Sequence, residues 1–150
     1  MKIYFSCSLT GGRADEKIYG VIVDDLLAQG HEVLTAHLAR PEVMAEEQRI
    51  SPREVYERDI QWLKEADVLI AEVSTPSHGV GYEIAFVLLQ GKPALCCYRA
   101  GARVSKMITG NNLPNLMVRA YGDEGEALKV VQQFLESYSQ PPPGQTRSLD

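Results

Sequence analysis

Cysteine, positive charge and long apolar runs are all scarce in this chain, and each scarcity excludes something. Three cysteines, Cys7, Cys96 and Cys97, are too few and odd in number for a disulfide framework, and without a CxxC pair they do not suggest a structural zinc site. No apolar run approaches the length that spans a bilayer, and residues 1–3 lead straight into a strand rather than a signal peptide. The expectation is a cytosolic chain with no metal, no cofactor and no membrane contact. Lys and Arg number 15 against 20 Asp and Glu, a net charge of −5, which argues against a surface for a nucleic-acid polymer but leaves room for one small nucleotide. GxGxxG, GxxxxGK[ST] and GxSxG are absent as well, so neither a dinucleotide fingerprint, nor a P-loop, nor a hydrolase elbow is present.

What is present is globular: 45% hydrophobic and 23% charged residues in a 150-residue chain, enough for one domain with its own core. Residues 1–139 read as that domain, and the Pro-rich 140–150 as a disordered tail. Strands are expected over 2–7, 31–35, 67–73, 93–98 and 115–121. Helices are expected over 14–28, 52–65, 79–90 and 125–138, with a short amphipathic segment near 104–108. Ser51, Pro52 and Glu54 give the second of these helices a capping-box start. Residues 36–51 read as a loop with at most one helical turn. The alternation implies an α/β fold, a five-stranded, mostly parallel sheet with helices on both faces.

The stretch 66–93 organises the rest. A buried strand runs into a turn of small residues and then into a helix that is almost wholly apolar, with Glu83 as its one discordant residue. Placed in the first turn of that helix, its carboxylate is favoured by the helix dipole, and desolvation makes it a candidate nucleophile. Acidic residues also occupy first turns for the dipole alone. Asp59 lies beside the apolar face of the preceding helix, where a carboxylate is either paired or functional. Two glycine-bearing turns follow strands, at 8–13 and 77–81, and each can present backbone N–H groups to an anion. Two carboxylates beside such turns suggest displacement at an acetal carbon of a small phosphorylated ligand. His37 follows the second strand and could line a crevice; His31 and His78 read as surface residues.

Four segments carry a closer likeness: YFSCSLTGGR at 4–13, LTAH at 34–37, RDIQWLKEADVLIAEVSTPSHGVGYE at 58–83 and GKP at 91–93. Together they resemble the 2′-deoxynucleoside 5′-phosphate N-hydrolases, relatives of the nucleoside 2-deoxyribosyltransferases, over nearly the whole chain apart from the tail. The resemblance implies a Rossmann-like or flavodoxin-like sandwich that acts as a homodimer. It implies Glu83 as the nucleophile that forms a glycosyl-enzyme intermediate at C1′, Tyr4 as the residue that orients it, and Asp59 as an aid to departure of the base or to positioning of the nucleotide. Ser8, Gly11, Gly12, Arg13, Ser77 and Gly79 fall around the 5′-phosphate. Ser105 matches a serine that the neighbouring subunit contributes to that phosphate, and Leu9, His37 and Val55 fall around the base. Thr10 stands where the mammalian hydrolases have an arginine, and His78 where they have leucine.

One position separates the subfamilies on physical grounds. The transferases that use free nucleosides carry an aspartate where this chain has Ser77, and an aspartate would repel a phosphate to which serine donates. The expectation is therefore hydrolysis of deoxyribonucleoside monophosphates. Its rivals are a deoxyribosyltransferase, a glycosidase of the related branch that removes cytosine from CMP, and a nucleotide-binding module without catalysis.

Overall fold

The computed structural model describes residues 1–9 and 14–139. Five strands, β1 (Lys2–Ser6), β2 (Glu32–Val33), β3 (Val68–Glu72), β4 (Ala94–Arg99) and β5 (Leu116–Tyr121), form one sheet in the order β2-β1-β3-β4-β5. All four pairings are parallel, so the expectation of a mostly parallel sheet was met by one with no antiparallel pair. The helices are α1 (Glu16–Ala28), α2 (Val43–Glu47), α3 (Pro52–Glu65), α4 (His78–Leu89), α5 (Lys106–Thr109) and α6 (Glu124–Ser139), with a 3₁₀ turn at Ala36–Ala39. Residues 36–51, expected as a loop, thus hold two short helical pieces. No helix of the described residues is long and apolar enough to cross a membrane. The expected tail, 140–150, lies outside the described residues.

Strand alternation sorts the core into two layers. Ile3, Phe5, Val68, Ile70, Leu95 and Cys97 pack against α1 and α6, while Tyr4, Leu69, Ala71, Ala94 and Cys96 face α3 and α4. Adjacent Cys96 and Cys97 therefore point to opposite faces, as the period of two requires. The strand order reverses between β1 and β3, which opens a crevice at their carboxyl ends.

Local chemistry explains most boundaries. The capping box at α3 is complete, with Ser51 accepting from the Glu54 N–H and the Glu54 carboxylate accepting from the Ser51 N–H. Gly30 and Gly91 take φ of +82° and +73° just past α1 and α4, where a side chain would be strained. Strand β2 is shorter than the expected 31–35 because Thr35 turns its side chain into the ladder. Its Oγ1 accepts from the Phe5 N–H at 2.9 Å and donates to the Phe5 carbonyl at 2.7 Å, replacing backbone pairing.

One carboxylate is buried in the α1/α6 layer. Glu72 is fully enclosed, and burial pushes its carboxyl above the ordinary range despite donors from Ser74 and Tyr121. The Tyr121 hydroxyl donates to Oε1 at 2.8 Å. Removing it by Tyr121→Phe is expected to cost about 1–2 kcal/mol, because a buried acceptor loses a donor that water cannot replace. Thermal denaturation should show a loss of several °C.

Candidate active site

Strand periodicity places Tyr4 and Ser6, two residues apart on β1, on the face covered by α4. Both are fully buried, and both reach across to one side chain on that helix. The Tyr4 hydroxyl donates to Glu83 Oε1 at 2.9 Å, and the Ser6 hydroxyl donates to Oε2. Each carboxylate oxygen is thereby held by one donor.

Glu83 itself is half-buried. Burial pushes its carboxyl up to about 7; the two hydroxyl donors oppose that shift, and the Asp59 charge adds to it. Burial, then the charges of Glu83 and Asp59, raise the Tyr4 hydroxyl far above its usual range, so it stays a donor. The expected position of Glu83 in the first turn needs correction. Helix α4 starts at His78, with Ser77 as its N-cap, which puts Glu83 in the second turn. The dipole fades within one turn, so the hydroxyls of β1, rather than the helix end, orient and stabilise the carboxylate.

Glu83 opens onto a cavity of about 250 Å³ whose wall also includes Leu9, Val55, Asp59, Ser77 and Gly79. Cys7, Leu38 and Met44 make much of the remaining wall apolar, and Glu47 adds a third acid. Asp59 is mostly shielded and its carboxyl is raised by burial, an effect that Arg58 partly offsets. Arg58 forks between two acids, with Nε 2.9 Å from Asp59 and Nη1 2.9 Å from Glu47. Its guanidinium lies over the Trp62 ring, 4.8 Å from the centroid. The turn before α4 is tied down from the other side of the sheet. Asp15 accepts from the Thr75 hydroxyl at 3.0 Å and pairs with Arg99 at 3.1 Å.

The candidate residues divide by place. Glu83, Asp59, Leu9, Val55, Ser77 and Gly79 share this cavity, with Tyr4 beneath Glu83. His37 reaches it only through Glu47, to which its Nε2 lies at 3.3 Å, and its ring stands edge-on to Trp62 at 5.5 Å. Ser8 is fully buried after β1, and its hydroxyl has no partner among the described residues. Gly11, Gly12 and Arg13 lie outside the described residues, as does Thr10. Ser105 is the N-cap of α5 and lines a separate groove of about 730 Å³ between α4 and α5. Ser77 lies at the border of both.

Three neighbours of Glu83 and Asp59 were not singled out from sequence. Ser6 was legible, since it follows Tyr4 by two in a strand. Arg58 was partly legible, four residues before Trp62 on one helix. Glu47 was not, because it comes from an irregular segment with no periodicity to place it.

A half-buried carboxylate held by two hydroxyls, with a second acid beside it, can attack an electrophilic carbon while its neighbour manages a proton. Known proteins resemble this chain. The Methanosarcina barkeri protein provisionally named 2′-deoxynucleoside 5′-phosphate N-hydrolase 1 is 43% identical over 89% of this chain and 84% of its own length. The 5-hydroxymethyl-dUMP N-hydrolase of Rattus norvegicus is 39% identical over 91% of this chain and 85% of its own. Among solved structures, the CMP N-glycosidase of Clostridium botulinum has the same fold, with a TM-score of 0.68 at 20% identity, over 89% of this chain and 99% of that one. The family model described as nucleoside 2-deoxyribosyltransferase matches residues 3–120, which include every described side chain of the Glu83 cavity, and the chain belongs to that family.

Proposed function

We propose that this chain is an N-glycosidase that hydrolyses 2′-deoxyribonucleoside 5′-monophosphates to free base and 2-deoxyribose 5-phosphate. The observation that carries it is Glu83, with one oxygen held by Tyr4 and the other by Ser6, facing a cavity that also contains Asp59. The names of the relatives, N-hydrolases of deoxynucleotides, support the same chemistry.

In the proposed reaction ionised Glu83 attacks C1′ and the C1′–N bond breaks, its electron pair passing to the base. Asp59, whose proton is held more tightly because of burial, gives that proton to the departing base. Water then adds to C1′, its hydroxyl staying on the sugar and its proton returning to Asp59, and Glu83 is released as the carboxylate. Tyr4 and Ser6 keep the nucleophile aligned throughout. Leu9 and Val55 flank the base, with His37 behind Glu47. Ser8, Gly11, Gly12, Arg13, Ser77 and Gly79 take the phosphate.

The direct test is incubation with dGMP, dCMP, GMP and deoxyguanosine, with free base measured by chromatography. Base from the deoxy monophosphates alone is expected. Release from GMP would move the assignment to ribonucleotides, exchange with an added second base would make the chain a transferase, and monophosphate binding without release would make it a binding module. Ser77 supplies the companion prediction. Ser77→Asp should raise KM for a monophosphate at least about tenfold, since a like charge is placed at the phosphate, with less effect on deoxyguanosine; steady-state kinetics check it.

The active form in this proposal is a homodimer, with Ser105 completing the neighbouring subunit's phosphate site. The apolar groove beside Ser105 supports it, since Val80, Ile84, Leu88 and Val104 line it and Met107 is 84% exposed nearby. Met107→Glu is expected to yield monomers, read as a halved mass by light scattering.

A further inference from the structure

We propose that Glu47 reads the base, selecting nucleotides whose base presents an exocyclic amino group over those that present an oxo group at the same edge. This rests on the N-glycosidase reading above and names the substrate class within it.

Glu47 lines the same cavity as Glu83 and Asp59, and its side chain is only 14% exposed. The three acids share that cavity, and Arg58 bridges two of them, with Nε 2.9 Å from Asp59 and Nη1 2.9 Å from Glu47. A nucleotide with C1′ at Glu83 and its glycosidic nitrogen near Asp59 then meets Glu47, across that bridge, in the wall around its base.

The chemistry of that edge is set by what holds Glu47. Arg58 Nη1 lies 2.9 Å and His37 Nε2 3.3 Å from it, and both contacts fall on Oε1. Arg58 is itself held by Asp59 and by the Trp62 face, so Glu47 is kept in one orientation. Oε2 has no hydrogen-bond partner among the described residues. A carboxylate oxygen accepts, and once a bound base has displaced the water of the cavity an acceptor left unpaired is costly. A ligand N–H satisfies it; a ligand carbonyl brings two lone pairs against a negative oxygen. Cytosine and uracil differ at this point, as do adenine and hypoxanthine, with almost no difference in shape. Sites built to pair with an N–H discriminate strongly against analogues lacking it.

The test compares kcat/KM for dCMP against dUMP and for dAMP against dIMP, with 5-hydroxymethyl-dUMP as a further oxo-edged substrate. At least one amino-bearing member should be favoured by about tenfold or more, and 5-hydroxymethyl-dUMP should follow dUMP. Glu47→Gln, whose amide can also donate, should reduce that ratio at least about tenfold while the favoured substrate is still cleaved. Ratios within threefold in both pairs, a preference for the oxo member, or a preference unchanged in Glu47→Gln would each overturn the proposal. If Glu47→Gln does not fold, the wild-type ratios decide. If no nucleotide is cleaved, the N-glycosidase reading fails, and calorimetric affinities of the same nucleotides for the wild-type chain still decide whether Glu47 selects the amino edge.

Discussion

Replacing Glu83 by glutamine is expected to lower base release from a deoxyribonucleoside monophosphate by about four orders of magnitude or more, the range seen when an enzyme loses its nucleophile. The change is nearly isosteric. Tyr4 can still donate to the amide oxygen, and the Ser6 hydroxyl can rotate to accept from the amide nitrogen. Substrate affinity should therefore change far less than kcat. That split distinguishes a lost nucleophile from a collapsed pocket, and calorimetry with dCMP or dGMP on the variant measures it. A second reading comes from the wild-type protein. Acid quenching during turnover, followed by peptide mass spectrometry, should find one deoxyribose phosphate attached to the peptide containing Glu83. Wild-type turnover in Glu83→Gln would remove Glu83 from the chemistry altogether.

The second large effect is on pH. Burial holds the Glu83 carboxyl at about 7, against 4.5 for an ordinary glutamate. Because attack needs Glu83 ionised and departure of the base needs Asp59 protonated, kcat/KM should be bell-shaped, falling toward acid and toward alkaline pH, with Glu83 supplying one of the two limbs. The Glu83 contribution to stability should fall as pH rises. Between the two values the native state holds a proton that the unfolded chain has released, so this contribution is complete below pH 4.5 and is lost as pH rises through about 7. The loss is on the order of 1–3 kcal/mol. Glu83→Gln carries no such charge and should melt several °C above wild type at pH 8, with the gap closing toward pH 5. Urea denaturation of both proteins across this range measures it. A gap that stays constant with pH would show that Glu83 ionises as an ordinary surface glutamate. The stability curve also separates Glu83 from the substrate, whose phosphate titrates near pH 6 and enters only the kinetic profile.

Both effects have the same source. A carboxylate placed where water is scarce, and held by hydroxyls rather than by cations, keeps its negative charge available to an electrophile at the expense of folding free energy. A cation at Glu83 would have stabilised the charge and weakened the nucleophile. Arg58 instead serves Asp59 and Glu47.

Outside 36–51, the elements and their order along the chain follow from the sequence, because the signals are local. The Ser51–Glu54 capping box closes over three residues, Gly91 ends α4 where φ turns positive, and strand alternation separates Cys96 from Cys97 and pairs Tyr4 with Ser6. Glu83 stood out in the sequence for a similar reason, as the one charge in an apolar helix. Its surroundings were a different matter. The Ser6 donor is 77 positions away, and it meets Glu83 only because β1 pairs with β3 and α4 folds back over both. Thr35 stopped β2 early through a side-chain contact with Phe5, 30 positions away, which no propensity registers. Glu47 entered the cavity from a segment without periodicity, and Ser105 lines a groove apart from its own chain's Glu83 cavity. Backbone chemistry acts over a few residues and is written in sequence. Which charges share a poorly solvated space depends on crossovers between distant strands, and only the assembled tertiary structure decides that.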